Sequence, residues 1–170
     1  MKKRWFWTAT AVLTAADQLL KYSAEQNLEK GEERPLTDRI VFRRVENRGL
    51  CLNLLSEKPE LVKGLSAGAA GCVTVLQAAA LLRKRGLWTN MGLALLTAGA
   101  WSNTFDRFAR GYVVDYIGVR SGNKKLTDLT YNLGDFLIAA GTLILSLAVL
   151  LSPGSRKQRG KAEAAIKDDL

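Results

Sequence analysis

Four apolar runs, at residues 5–22, 61–82, 87–108 and 133–151, constrain this chain more than any other feature. Each is about as long as a helix must be to cross the hydrocarbon core of a bilayer, roughly 17 to 25 residues. A soluble core would spread its apolar residues along the whole chain, whereas here the 48% that are hydrophobic fall into blocks. A length of 170 residues fits one domain. The predicted fold is an all-α membrane protein with four transmembrane helices and a small β-rich outer subdomain. The domain covers residues 1–154, with outer loops at 23–60 and 109–130 and a charged cytoplasmic tail at 155–170.

The formal net charge of +9 has an ordinary explanation in that setting. Lys2, Lys3 and Arg4 precede the first run, Arg83, Lys84 and Arg85 separate the second from the third, and Arg156, Lys157, Arg159 and Lys161 follow the fourth. Four crossings put all three clusters on one side, and the positive-inside rule makes that side cytoplasmic. Both termini are then cytoplasmic. A nucleic-acid partner is not expected, because the clusters lack interleaved aromatics and lie beside the spans. A cleaved signal peptide is the rival reading of the start. Asp17 and Lys21 argue against it, since the apolar part of a signal peptide is normally free of charge.

The chain has no histidine, which excludes a Ser-His-Asp triad, a Cys-His pair and the usual histidine-bearing zinc sites. Cys51 and Cys72 cannot make a framework and read as small apolar residues. A carboxylate pair is the leading chemistry that remains.

Ionisable groups at membrane depth cost on the order of 2.5 to 3.5 kcal/mol each, so those retained are functional candidates. Asp17 and Lys21 are four apart and share a helix face, while Asn103, Asp106 and Arg107 stand at i, i+3 and i+4 on another. Asp115 interrupts the apolar stretch Gly111-Tyr112-Val113-Val114, and Asn132 and Asp135 open the last run. The four aspartates converge near the outer ends of their elements. For Asp17, beside Lys21, and Asp106, beside Arg107, an ion pair tying helices together is the simpler reading. Asp115 and Asp135 have no basic neighbour in sequence. Two facing aspartates can share a proton, one acting as base on water and the other as acid toward a carbonyl.

Residues 39–45 are rich in strand formers and predict a small sheet on the membrane surface, and residues 31–35 read as a turn. Gly49 allows a sharp turn or a close approach to a ligand. Gly64 and Gly68 in the second run, and Gly92 and Gly99 in the third, predict close helix packing. Residues 121–125 read as a polar turn, and Pro153-Gly154 ends the last run.

Five segments in order resemble the bacterial lipoprotein signal peptidase (signal peptidase II) family. Asp17-Gln18-Leu19-Leu20-Lys21 is similar to the motif D-Q-x-x-K, and Val45-Glu46-Asn47-Arg48-Gly49 to V-x-N-x-G. Asn103-Thr104-Phe105-Asp106-Arg107 is similar to N-x-x-D-R, Gly111-Tyr112-Val113-Val114-Asp115 to G-x-V-x-D, and Tyr131-Asn132-Leu133-Gly134-Asp135 to F-N-x-A-D. The resemblance implies an intramembrane aspartyl endopeptidase in the bacterial cell membrane. It would remove signal peptides from diacylglyceryl-modified prolipoproteins, just before the lipidated cysteine, at a site near the outer face. It implies Asp115 and Asp135 as the catalytic pair, with Asp17, Lys21, Asn47, Gly49, Asn103, Asp106, Arg107 and Asn132 supporting or binding substrate. The implied partners are prolipoproteins and membrane lipid, the resemblance implies no metal or cofactor, and a monomer is expected. This chain departs from the pattern at Leu50-Cys51-Leu52, where small residues and phenylalanine are usual, and at Tyr131 and Gly134, where phenylalanine and alanine are commoner. The segment before Tyr131 also lacks the usual proline. The alternative is a catalytically altered relative that binds lipoprotein precursors or scaffolds membrane partners, supported only by the first departure.

Overall fold

A computed structural model of the chain describes residues 4–50, 54–120, 127 and 129–151. The expectations for Lys2, Lys3, Cys51, Leu52, the turn at 121–125, the stop at Pro153-Gly154 and the tail fall outside those residues. In chain order the elements are α1 (Arg4–Asn27), β1 (Glu33–Pro35), β2 (Ile40–Asn47), α2 (Pro59–Leu82), α3 (Leu87–Ala109), β3 (Val113–Val119), β4 (Thr130–Tyr131) and α4 (Leu133–Leu150).

Polarity is reversed relative to a water-soluble helix bundle. On α1 the charged pair Asp17 and Lys21 is completely buried, while Leu19 between them is 69% exposed. Trp5, Val12, Leu20 and Tyr22 also face outward. In water such a helix would hide its leucines and show its charges; in a hydrocarbon solvent the reverse arrangement is favoured. Two helices, Pro59–Leu82 and Leu133–Leu150, are long and apolar enough to cross a membrane, with mean hydropathies of 1.7 and 2.1. Little of either is buried inside the protein, which sets them apart from core helices of a soluble fold. On α1 and α3 the charged residues Asp17, Lys21, Asp106 and Arg107 are buried inside the protein.

α3 is the central helix and packs against α1, α2 and α4. Its contact with α4 is backbone to backbone at two levels. A methyl group on Gly92 would lie 2.9 Å from the Gly141 carbonyl, and one on Gly99 would run into the Gly134 carbonyl. Gly64 and Gly68 do not act this way. No atom lies within 4 Å of the space a side chain would take at either position, so they face open surface.

The four strands form one antiparallel sheet in the order β1-β2-β3-β4. Glu33–Pro35, read from sequence as part of a turn, pairs with β2 as its edge strand. Proline is tolerated there because an edge strand need not donate from every residue. The run read as ending at Tyr22 continues as helix to Asn27. β2 pairs with β3 around an irregularity between Phe42 and Val45, bringing Val45 opposite Asp115 and Asn47 opposite Val113. Ala24 of α1 packs with Val114 and Tyr116, which fastens the sheet to the helices.

Candidate active site

Every predicted site residue except Gly49, a backbone contributor, brings a polar side chain to one region where α1, α3, β2, β3 and the start of α4 meet. Asp115 comes from β3 and is 4% exposed; Asp135 lies in the first turn of α4. That turn is built by a reciprocal cap. The Asn132 side chain accepts from the Asp135 amide at 2.9 Å, and the Asp135 carboxylate accepts from the Asn132 amide at 3.1 Å. The cap satisfies helix-end amides that would otherwise be orphaned. It also fixes the Asp135 side chain.

Three asparagines then present their NH2 groups to the two acids. Asn132 Nδ2 donates to Asp115 Oδ1 at 2.6 Å, Asn47 Nδ2 to Asp115 Oδ2 at 3.2 Å, and Asn103 Nδ2 to Asp135 Oδ1 at 2.9 Å. In each case a donor holds the opposite end of the amide. The Asp135 amide holds Asn132 Oδ1, the Gly49 amide holds Asn47 Oδ1 at 3.1 Å, and Lys21 Nζ holds Asn103 Oδ1 at 2.7 Å. An amide has one acceptor end and one donor end. Occupying the acceptor end leaves only the donor end for the acid.

Asp17, Lys21 and Asp106 form a buried ion cluster behind the acids. Lys21 Nζ lies 2.9 Å from Asp17 and 3.0 Å from Asp106, with all three side chains fully buried. The ion-pair reading of Asp17 holds. Asp106 pairs with Lys21 and Arg110 rather than with its neighbour Arg107. Arg107 instead donates to the carbonyls of Gly49 at 2.8 Å and Asn103 at 3.1 Å, tying the end of β2 to α3.

Asp115 and Asp135 line the same cavity, of about 960 Å³, which also takes in Asn47, Asn103 and Arg107. Its other walls are largely apolar, including Leu65 of α2 and Ile138 of α4. Burial, and then the nearby Asp135 charge, push the Asp115 carboxyl up to about 7, against the pull of its two asparagine donors. A carboxyl poised near neutrality beside a second one can hold a proton that its partner lacks.

A family profile described as signal peptidase (SPase) II matches residues 9–151. The chain belongs to the signal peptidase II family. A lipoprotein signal peptidase from Nostoc sp. is 35% identical over 159 residues, covering 93% of this chain and 97% of that relative. One from Shigella flexneri is 31% identical over 157 residues, covering 91% of this chain and 94% of the relative. A bacterial membrane enzyme solved by the in meso method superposes with a TM-score of 0.74 at 20% identity, over 85% of this chain and 87% of its own. A second gives 0.72 at 19% identity, over 86% and 93%. The structural likeness is one of fold, and with the family it makes the chain a bacterial membrane protein.

Some groups around this site escape a reading of the sequence. Arg110 bonds Gln18 Oε1 at 3.0 Å and pairs with Glu25 at 2.8 Å, and Tyr112 donates to Glu25 at 3.0 Å. Extending the same spacing rule by one turn would have found two of them. Glu25 is four residues beyond Lys21, and Arg110 four beyond Asp106. Tyr116 gives no such signal.

Proposed function

We propose that Asp115 and Asp135 are the catalytic pair of this signal peptidase II. As a member of that family the chain is an aspartic endopeptidase that removes signal peptides from prolipoproteins. The observation that carries the assignment of residues is that both acids line one cavity and that Asn132 binds each carboxylate, Asp115 through its side-chain NH2 and Asp135 through its backbone amide. In the proposed reaction the ionised aspartate takes a proton from water while the water oxygen bonds to the scissile carbonyl carbon. The other aspartate gives its proton to the carbonyl oxygen. Collapse of the tetrahedral adduct re-forms the C=O and breaks the C–N bond; the proton held by the base passes to the leaving amine, and a hydroxyl proton of the adduct returns to the other aspartate.

Asn47, Asn103 and Asn132 hold the acids in this proposal, while Asp17, Lys21 and Asp106 fix α1 against α3 behind them. Arg107 and Gly49 shape the rim of the cavity. The apolar walls suit a signal peptide segment and the acyl chains of a diacylglyceryl-modified cysteine, with cleavage just before that residue. We place all four helices across the membrane, both termini in the cytoplasm and the acids near the outer face. We take the working unit to be a monomer.

The test is a gel-shift cleavage assay on purified protein, with a prolipoprotein carrying or lacking its diacylglyceryl group, beside the Asp115→Asn and Asp135→Asn variants. Cleavage of the lipidated form alone, lost in both variants while they stay folded, is the expected result. Full turnover by either variant would overturn the assignment. Tight binding of lipidated precursor without turnover by the unaltered protein would favour a binding-only relative.

A further inference from the structure

We propose that the Tyr116 hydroxyl is a positioning group for the Asp115–Asp135 pair, clamping the first turn of α4 to β3. The proposal rests on the assignment of that pair. Tyr116 directly follows Asp115 on β3 and is 2% exposed. Successive residues of a strand point to opposite faces. On one face Asp115 accepts from the side chain of Asn132, the cap of α4, at 2.6 Å. On the other, the Tyr116 hydroxyl accepts from the backbone amide of Leu133, the first residue of α4, at 3.0 Å. Two adjacent residues of one strand therefore grip two adjacent residues at the start of the helix that carries Asp135.

The direction of these bonds is not a matter of choice. An amide N–H only donates, so the hydroxyl must accept from Leu133 and turn its own proton elsewhere. That proton goes to Asp17 Oδ1 at 2.9 Å. Asp17 is itself held through its other oxygen by Lys21 at 2.9 Å and Ser102 at 2.6 Å. The start of α4 is thereby anchored, through one hydroxyl, to the buried ion cluster between α1 and α3. Burial and the Asp17 charge push the phenol further above its usual range, so it stays a donor at any working pH. The ring packs against Phe42 with centroids 5.9 Å apart, and that contact does not need the hydroxyl.

Two variants remove the clamp from opposite ends. Tyr116→Phe deletes the acceptor and keeps the ring. Leu133→Pro deletes the donor N–H at the first helical position and sets a ring carbon where the amide proton stood, so it also pushes the hydroxyl away. Asn132 before it already has the extended conformation that a following proline requires. Full-length enzyme in detergent is assayed with lipidated prolipoprotein for kcat and KM, and melted to obtain Tm. Because the clamp aligns reacting groups and touches no substrate, kcat should fall about tenfold in Tyr116→Phe with KM unchanged. Its Tm should fall only modestly, since the Leu133 amide and Asp17 Oδ1 each lose one buried partner. Leu133→Pro should lose at least that factor, and the double variant, in which phenylalanine leaves room for the proline ring, no more than Leu133→Pro alone. Unchanged kcat in Tyr116→Phe would overturn the proposal, as would losses that multiply in the double variant. So would a fall in kcat matched by a much lower Tm and a raised KM, which would mark a merely structural role. Asp115→Asn runs in the same assay: if it still cleaves, the pair assignment is what has failed, whereas its inactivity beside a fully active Tyr116→Phe sinks the clamp alone.

Discussion

At the scale of single residues, the site is an exercise in orienting amides. Each asparagine facing an acid has its oxygen taken by a donor, so its NH2 end is committed to a carboxylate. Asp115 is nevertheless pushed up to about 7, because burial and the charge of Asp135 outweigh those donors. The sign for catalysis follows. Below that value the pair keeps a proton for the carbonyl oxygen; above it both acids become ionised and the acid is missing. A kcat profile should therefore fall on its alkaline side from about pH 7, with an acidic limb where the base becomes protonated, the two limbs belonging to the pair as a unit. Turnover that keeps rising to pH 9 would contradict this. Lys21 is the other pivotal residue, completely buried and bonded to Asp17, Asp106 and Asn103. Lys21→Met leaves two buried carboxylates short of their cation, and breaking a buried ion pair in this way costs about 3–5 kcal/mol. A large drop in the detergent melting temperature, together with loss of cleavage, is the expected reading. A normal melt would show that the cluster is not holding α1 to α3.

At the scale of elements, glycine decides how the helices approach. Gly92, Gly99 and Gly141 let α3 and α4 touch through their backbones, whereas Gly64 of α2 meets nothing. Gly99→Ala should therefore lower stability by about 1–3 kcal/mol through overpacking. Gly64→Ala, relieving a helix-interior glycine in open space, should be neutral or raise it by about 0.5–1 kcal/mol. Thermal unfolding of the two variants side by side measures the contrast, and equal shifts would refute the close packing of α3 on α4. Gly134 also accounts for one departure from the family pattern. A methyl there would sit 2.9 Å from Asn132 Oδ1, 3.0 Å from Asp17 Oδ2 and 3.1 Å from Asn103 Oδ1, tighter than these oxygens accept without shifting. The usual alanine would press on three members of the site at once.

At the scale of the whole molecule, the proposed crossing pattern can be checked with single cysteines. In a background lacking Cys51 and Cys72, Glu57→Cys precedes α2 on the proposed outer side, and Lys84→Cys lies in the link between α2 and α3 on the inner side. A membrane-impermeant thiol reagent should label the first in intact spheroplasts and the second only after lysis. The opposite pattern would invert the molecule and move the acids to the cytoplasmic face.

Much of this was legible in the sequence because a bilayer allows so few solutions. Apolar blocks of spanning length match the observed helices closely, and charges inside them had to find partners, which is why Asp17, Lys21 and Asp106 could be singled out without coordinates. Strand formers around Asp115 marked β3 for the same reason of local preference. Partner choice was not legible, since it depends on distances between elements far apart in the chain. Sequence adjacency matched Asp106 with Arg107, yet the fold turns Arg107 toward the Gly49 carbonyl and gives Asp106 to Lys21 and Arg110. Spacing alone made Gly64 and Gly99 look alike, and only the position of α4 tells them apart. Tyr116 is the limiting case. By itself a tyrosine in a strand is a good strand former; its hydroxyl acquires a task only because α1 and the start of α4 come to lie on either side of it. The sequence determined which groups must be kept from lipid, and the tertiary structure decided which of them meet, because that depends on how helices and sheet pack and not on the order of residues along either.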